Sequence, residues 1–451
     1  MSHRLLSVAL IATILIAAGS PSTAAKSHQG KTVGGARQRR SPEIPIAGRI
    51  AYIGEGGNLY VCDAACRKPL CVTCTSKAEQ ARGGAIVPAA LASDPPAPVQ
   101  PISYDLPTFS PDATQIAYAS AQRRGGSLNF AINVYNFTRR VPITVFQSSE
   151  HPIYFYWLPG GQRIFFLAEN GDSLDLILAE VREGRPVRAL LKGLPIFFDW
   201  NQALNDLAFH YAPPEDSGPE QAGLIQITAR DQHVVKVFSS GAASFRSPVW
   251  SPDRSHLAYV LNDHRGQFDL MVADADGNEA KPMVGLAPGT TAFEWAADSR
   301  HIAFSTLKRE GRMSYDGINL LDLETGNIST LVSAPVIAYF FSPDGKWLAY
   351  IGTGENANTW NVIAAGGGRP RKLCDFIASS SESTVYRVFD QYALSHRIWS
   401  PDSRAIVFAG AVLQQDQAPP ENISPSVWAV PIDGQAPRTI ADGSVGFWSP
   451  R

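Results

Sequence analysis

No stretch of this chain is apolar for long enough to cross a bilayer. Its most apolar segment, Leu5 to Ala18, runs to about 14 residues, against the roughly 20 that a membrane helix needs. Charge of either sign is scarce too. The 39 Lys+Arg and 41 Asp+Glu of 451 residues leave a formal charge of −2, which excludes the basic footprint of a nucleic-acid binder. The catalytic and cofactor motifs that can be read locally are missing: no G-x-S-x-G elbow, no P-loop and no H-E-x-x-H. Asp274-Ala275-Asp276-Gly277-Asn278 has the flavour of a calcium loop. An EF-hand loop starting at Asp274 would need Gly at 279 and Glu at 285, where the chain has Glu279 and Gly285. The segment reads as a turn, and no metal or cofactor is expected. Cysteine is sparse, at five residues, and four of them crowd into Cys62, Cys66, Cys71 and Cys74.

What the sequence does have is a recurrence. Trp250-Ser251-Pro252-Asp253 is followed by His256 to Leu261, a segment rich in residues that suit a sheet. Pro presets φ in the turn, and Ser and Asp bond the local backbone. The same aromatic–turn–strand unit returns at Phe109, Trp157, Trp200, Trp295, Phe341 and Trp399. The residue after each aromatic falls at 110, 158, 201, 251, 296, 342 and 400, giving steps of 48, 43, 50, 45, 46 and 58. A repeat of this length with several short strands per unit signals a β-propeller blade. With one aromatic per unit, the series is expected to pack between neighbouring blades rather than to stack on a glycan.

The chain ends complete the count. Val445 to Arg451 supplies a first strand with no second, and Gly48 to Gly54 a second strand with no first. Joined, they make one shared blade that closes the ring without an open edge. Seven whole hairpins and the shared one give eight. Third-strand segments at Leu59, Ile132, Leu176, Ile225, Leu270, Leu320, Val362 and Val427 give eight again. The expectation is an all-β, eight-bladed propeller of four-stranded blades over residues 48–451, with seven blades as the fallback.

The Trp-Ser-Pro-Asp turn, the Leu-Ala-Tyr or Ile-Ala-Phe strand and the Asp-Ala-Asp-Gly-Asn turn resemble the repeats of TolB-type propellers. They also resemble the propeller domains of prolyl-oligopeptidase-group peptidases. The resemblance implies the fold and says little of function, because the matching residues build blades. TolB carries an α/β domain before its six-bladed propeller, and the peptidases carry a hydrolase domain after theirs. Neither has a counterpart in the expected layout.

Residues 1–25 read as a secretory signal: His3 and Arg4, then the apolar run, then Ser22-Thr23-Ala24-Ala25. Residues 26–47 read as a disordered basic lead-in. An exported protein, periplasmic or secreted and without a membrane span after cleavage, is the consequence. Export favours two disulfides among the four clustered cysteines. Their connectivity is open, and a zinc site is the alternative. Cys374 is left as a buried thiol.

Five long segments fall on connections expected to emerge on one face: 77–103, 212–221, 307–315, 377–396 and 410–425. Long loops on a rigid scaffold are where binding usually resides. Arg309, Arg312, Tyr386, Arg387, Asp390, Tyr392 and His396 are therefore the candidate contacts for a protein or peptide partner. A competing account makes Val385, Val388, Phe389 and Tyr392 the apolar side of a small helix with a structural role. Two functional classes follow. One is a non-catalytic scaffold that binds a protein, peptide or envelope component through that face. The other is a propeller enzyme of lyase or hydrolase type, for which Asp199 and Glu294, each one residue before a strand-one aromatic, are the channel candidates. Ion pairing would disarm them; converging polar side chains with a raised carboxyl pKa would favour the enzyme.

Overall fold

The computed structural model describes residues 46–74 and 103–451, except 125–126, 215–216, 229–231, 241–246, 263–266, 288, 308–313 and 415–422. The expected signal and nearly all of the lead-in fall outside the described residues. So do Arg309, Arg312 and most of 77–103.

The repeat turn builds the same hydrogen bonds each time it occurs. The hydroxyls of Ser110, Ser251, Ser342 and Ser400 donate to Oδ1 of Asp112, Asp253, Asp344 and Asp402 at 2.6, 2.6, 2.7 and 2.7 Å. Each hydroxyl also accepts, at 3.0 Å, the N–H five residues on, from Gln115, His256, Trp347 and Ala405. The next residue after the Asp turns left-handed, with φ between 56° and 69° at Ala113, Arg254, Gly345 and Ser403. Every such turn returns the chain antiparallel onto its own first strand.

Those hairpins extend into antiparallel sheets. Six are four-stranded and one has seven strands. Five of the four-stranded sheets run in chain order. Their first strands are Ser103–Phe109, Pro152–Trp157, Ile196–Asn201, Val249–Trp250 and Thr290–Trp295. The sixth joins the two ends of the chain. Arg49–Ile53 pairs with Leu59–Asp63 on one side and with Val445–Trp448 on the other, with Ala51 opposite Phe447. This is the shared blade expected from the sequence. The seven-stranded sheet begins as a regular unit, Val336–Phe341 to Arg371–Ala378, and continues into Ala405–Leu413, Ser426–Pro431 and Arg438–Asp442. Dividing it between Arg371–Ala378 and Ala405–Leu413 yields units in keeping with eight.

The strand-one aromatics are buried, from Trp448 at 1% exposed to Phe341 at 9%. They also tie neighbouring blades together by hydrogen bonds. The indole N–H groups of Trp157, Trp295 and Trp399 donate to the carbonyls of Thr108, Val249 and Phe340, one blade back, at 2.9, 3.0 and 3.0 Å. Packing between blades is thus what the repeated aromatic does. Among the described residues, no helix is long and apolar enough to cross a membrane.

The four clustered cysteines form two bridges, Cys62–Cys66 and Cys71–Cys74, on the outer strands of the shared blade. Cys374 is free and buried. Asp274 to Asn278 is a turn, with Gly277 at φ 70°.

Deleting Gly446–Arg451 removes most of the closing strand, with Phe447 and Trp448 at 2% and 1% exposed. Loss of one buried aromatic costs about 3–5 kcal/mol. Thermal melting should therefore collapse by many degrees, and the milder Phe447→Ala should lower it measurably. An unchanged midpoint in both would disprove closure by this strand. Intact-mass analysis after alkylation under native conditions should leave Cys62, Cys66, Cys71 and Cys74 unmodified until a reductant is added. Label on those four before reduction would refute the bridges.

Candidate functional site

The eighth unit lacks a continuous first strand, and the reason defines the site. Asp375 to Ala378 pair with Leu413 to Gly410. Further along the same strand, Val407 N–H bonds Ile398 O and Trp399 bridges Ile406. The residues between, 379–397, leave the sheet and return to it. They form two helices, α1 (Ser380–Arg387) and α2 (Phe389–Tyr392). Ser379 caps α1 by accepting Glu382 N–H at 3.1 Å, and its hydroxyl donates to Ser444 O.

This excursion occupies the space enclosed by the inner strands, and it meets most of them. Phe389 packs against Tyr315, Tyr339 and Phe340, with ring centroids 6.0, 4.7 and 5.7 Å apart. Gln391 behaves as a strand partner for Phe198. Its Oε1 accepts Phe198 N–H at 3.0 Å, and its Nε2 donates to Phe198 O at 3.1 Å and to the Tyr154 hydroxyl at 2.7 Å. The Tyr154 hydroxyl in turn donates to Gln391 O at 3.0 Å. The Tyr392 ring meets Tyr154 edge-on at 5.3 Å. His396 bonds Thr108 Oγ1 through Nε2 at 2.8 Å and Ser395 Oγ through Nδ1 at 2.7 Å, and it packs edge-on to Phe447 at 4.6 Å. Burial pushes the His396 pKa down to about 3, so the ring is neutral.

Glu382 repairs the break in the sheet. Where the first strand is interrupted, Ala409 and Gly446 lose a carbonyl partner, and Glu382 Oε1 accepts both N–H groups at 3.2 and 3.1 Å. The side chain is fully buried, which raises its carboxyl to about 7 against the lowering effect of those N–H donors. Its Oε2 and the nearby Tyr386 hydroxyl are outside ordinary bonding distance of a partner, though the two groups influence each other's titration.

Asp199 and Glu294 occupy equivalent positions and share one structural task. Asp199 Oδ2 accepts the N–H of Trp250, the strand-one aromatic of the next blade, at 3.0 Å, and Glu294 accepts that of Phe341 at 3.3 Å. Each carboxylate satisfies an inner-strand N–H of its neighbour. Asp199 is also bound by the Tyr156 hydroxyl at 3.1 Å and by Arg254 at 3.0 Å, the latter reaching over from its left-handed turn position. The Asp199 ion pair leaves no free carboxylate for acid/base work. Among the described residues, Glu294 has no cationic partner. Burial, with a smaller push from Asp390, raises its carboxyl to about 8, while the Phe341 N–H opposes the rise. Among the described residues, no group of three or more His, Cys, Asp and Glu is placed to hold a metal ion.

No family model matches the chain. One curated relative is the Tol-Pal system protein TolB of Alcanivorax borkumensis, 28% identical over 96 residues. That is 21% of this chain and 21% of that protein, so the match spans about a fifth of the relative's length. Among solved structures, dihydro-heme d1 dehydrogenase NirN superposes with a TM-score of 0.52 at 11% identity, over 92% of this chain and 78% of its own. The β-propeller domain of the trilobed protease from Pyrococcus furiosus gives 0.44 at 12% identity, over 76% of this chain and 98% of its own. Identities this low speak for fold alone.

The fold is a TolB-like β-propeller. Within it, the sequence expectation for 377–396 needs correction. Tyr386, Asp390, Tyr392 and His396 are 2%, 5%, 8% and 2% exposed, so they are core residues of the ring and not a presented surface. Only Arg387 of that group is exposed. The helix account is the nearer one: Val385, Phe389 and Tyr392 are buried, but on two short helices with the half-buried Val388 between them. The mistake lay in treating a long, polar connection as a surface loop. Its polar groups are matched to unpaired inner-strand groups instead. The sequence reading missed Glu382, Gln391, Tyr154 and Thr108. The Ser379-x-x-Glu382 spacing, a helix-start signal, could have found the first of these.

An acid whose pKa is higher folded than unfolded adds stability below its unfolded value, and loses it as pH rises through the folded one. For Glu294 that window runs from about 4.5 to about 8. Glu294→Gln keeps the acceptor for Phe341 and removes the titration. The variant should melt with the parent near pH 5 and above it near pH 8.5, by on the order of 1–3 kcal/mol since the side chain is only partly buried. Parallel melting curves across that range would refute the assignment.

Proposed function

We propose that this chain is an exported, non-catalytic propeller scaffold that binds a protein, peptide or envelope component. The observation that carries the reading is the excursion itself. The axial space, where a propeller enzyme would hold substrate, is filled by residues 379–397, and their polar groups face inner-strand partners rather than a ligand. Binding is left to connections away from the axis, such as 212–221, and to Arg387, the exposed arginine at the end of α1. Export is supported by the apolar segment before Ser22 and by the two disulfides of the shared blade. The curated relative is named for the Tol-Pal system, and an assembly of several proteins is the kind of setting proposed here.

A second reading keeps an enzyme in view. Glu294, raised to about 8, stays protonated near neutral pH, the state a general acid needs. It would require the excursion to move aside, since Asp390 lies beside that carboxyl.

The test uses the mature protein as bait against its own envelope or secreted fraction, followed by titration of the purified complex. Arg387→Glu should weaken a stoichiometric complex about tenfold or more while leaving melting unchanged. Asp276→Ala, in a short turn between third and fourth strands, should leave it intact. Loss with Asp276→Ala but not with Arg387→Glu would move the binding face. No stoichiometric complex, together with turnover that Glu294→Gln abolishes, would favour the enzyme.

A further inference from the structure

The two bridges of the shared blade differ in what surrounds them. Cys62 is 4% exposed and packs with Ile50, Tyr52 and Trp448 inside the blade. Cys71–Cys74 sits at the rim. Leu70–Cys71 is the outermost strand of its sheet, with Cys71 opposite Tyr60 and Leu70 opposite Val61. Cys71 is half-buried and Cys74 is exposed. The residues leading into the strand, Arg67, Lys68 and Pro69, are exposed as well. A second molecule can thus approach this bridge at its Cys74 end, whereas Cys62 is closed off within the blade.

The spacing Cys71-Val72-Thr73-Cys74 is one in which a thiolate is commonly stabilised. Here the means is visible: Cys74 N–H donates to Cys71 Sγ at 3.0 Å. An N–H aimed at that sulfur favours the thiolate that forms when the bridge opens. A better leaving thiolate speeds attack on the other sulfur. The fold, meanwhile, does not depend on the bridge. Val72 N–H donates to Leu59 O at 2.8 Å, and Leu59 N–H donates to Thr73 Oγ1 at 2.9 Å. Thr73 Oγ1 in turn donates to Asn58 Oδ1 at 3.1 Å, and both Val72 and Thr73 are buried. Those bonds hold the segment whether or not the sulfurs are joined. Cysteines three residues apart close so short a loop that the bridge constrains the unfolded chain very little. The segment can therefore keep its shape through reduction.

We propose that Cys71–Cys74 is a thiol–disulfide exchange site for the thiols of a second molecule. A substrate thiolate attacks Cys74 Sγ, forming a mixed disulfide and releasing Cys71 as the thiolate. A second substrate thiolate then attacks the substrate sulfur of that mixed disulfide, and Cys74 leaves. One substrate disulfide forms, the two substrate protons end on Cys71 and Cys74, and no other oxidant enters. The site is separate from the 212–221 connection and Arg387 of the scaffold reading, so the two readings fail separately.

Equilibration of the full chain with glutathione redox mixtures, then acid quench, alkylation and peptide mass analysis, tests this. Cys71 and Cys74 should open at a reducing ratio at least about tenfold lower than Cys62 and Cys66 require. The parent should oxidise a reduced dithiol peptide one-to-one. The Cys71→Ser/Cys74→Ser double variant should not, while melting close to the parent. Once reduced, Cys71 should alkylate with a pH midpoint below about 8, against about 8.5 for an ordinary thiol. At equal thiol concentration, faster exchange with the peptide than with glutathione points to a protein substrate, and slower exchange to a small thiol. The proposal is overturned by joint opening of the two bridges, by a double variant that still oxidises the peptide, or by an ordinary Cys71 midpoint. A double variant that melts far below the parent overturns it too, since the bridge would then be structural.

Discussion

The blades of this propeller end, at the ring axis, on strands whose far edge meets no further strand, apart from single bridges such as Arg397 to Trp448 and Tyr315 to Val336. That open inner edge is the constraint on which the rest depends. Backbone N–H groups facing the axis must find acceptors, because leaving one buried and unpaired costs about 1–3 kcal/mol. The chain answers with side chains. Asp199 and Glu294 reach across to the next blade's inner strand. Gln391 stands in for a strand beside Phe198, and Glu382 replaces the carbonyl lost where the eighth unit is interrupted. Polar residues near the axis are therefore answers to backbone demand before they are anything else.

This ordering also explains why titration at the axis is a poor guide to catalysis here. A carboxylate recruited to satisfy buried N–H groups is desolvated by its task, and desolvation alone drives its pKa upward. Glu382 reaches about 7 while held between the N–H groups of Ala409 and Gly446. Perturbed carboxyls gather at functional sites in many proteins, but structural networks perturb them as well. Geometry separates the two cases. Asp199 is engaged at both oxygens by protein donors, and Glu382 spends one oxygen on the N–H groups of Ala409 and Gly446.

The blades were legible in the sequence because their defining bonds are local. Ser251 bonds Asp253 and His256, within five residues, so the residue types recur at fixed spacing wherever the turn does. Ring closure was legible because the two chain ends are complementary halves of the same pattern. The axis was not legible. Gln391 meets Phe198 across 193 residues and His396 meets Thr108 across 288, and no spacing rule encodes either. The step of 58 between positions 342 and 400 did mark an insertion, but length alone does not tell an inward excursion from an outward loop. The positions of Asp199 and Glu294 stood out; their role depends on a neighbouring blade's N–H and emerged only from the fold.

The seven-stranded sheet has a mechanical meaning. At other seams neighbouring blades meet mostly through side chains, with bonds such as that from the Trp295 indole to Val249 O, and through single backbone bridges such as Arg397 to Trp448 and Tyr315 to Val336. Between the seventh and eighth units the backbone itself is continuous in the sheet, from Asp375 opposite Leu413 to Ala378 opposite Gly410. Those two units form one stiff wedge, and the excursion is rooted in it at both ends, so the wedge carries the axial residues as part of its own body. Any breathing of the ring must be taken up at the side-chain seams of the other blades. The closing strand, which contributes Phe447 beside His396, then acts as a clasp joining that wedge to the first strands of the chain.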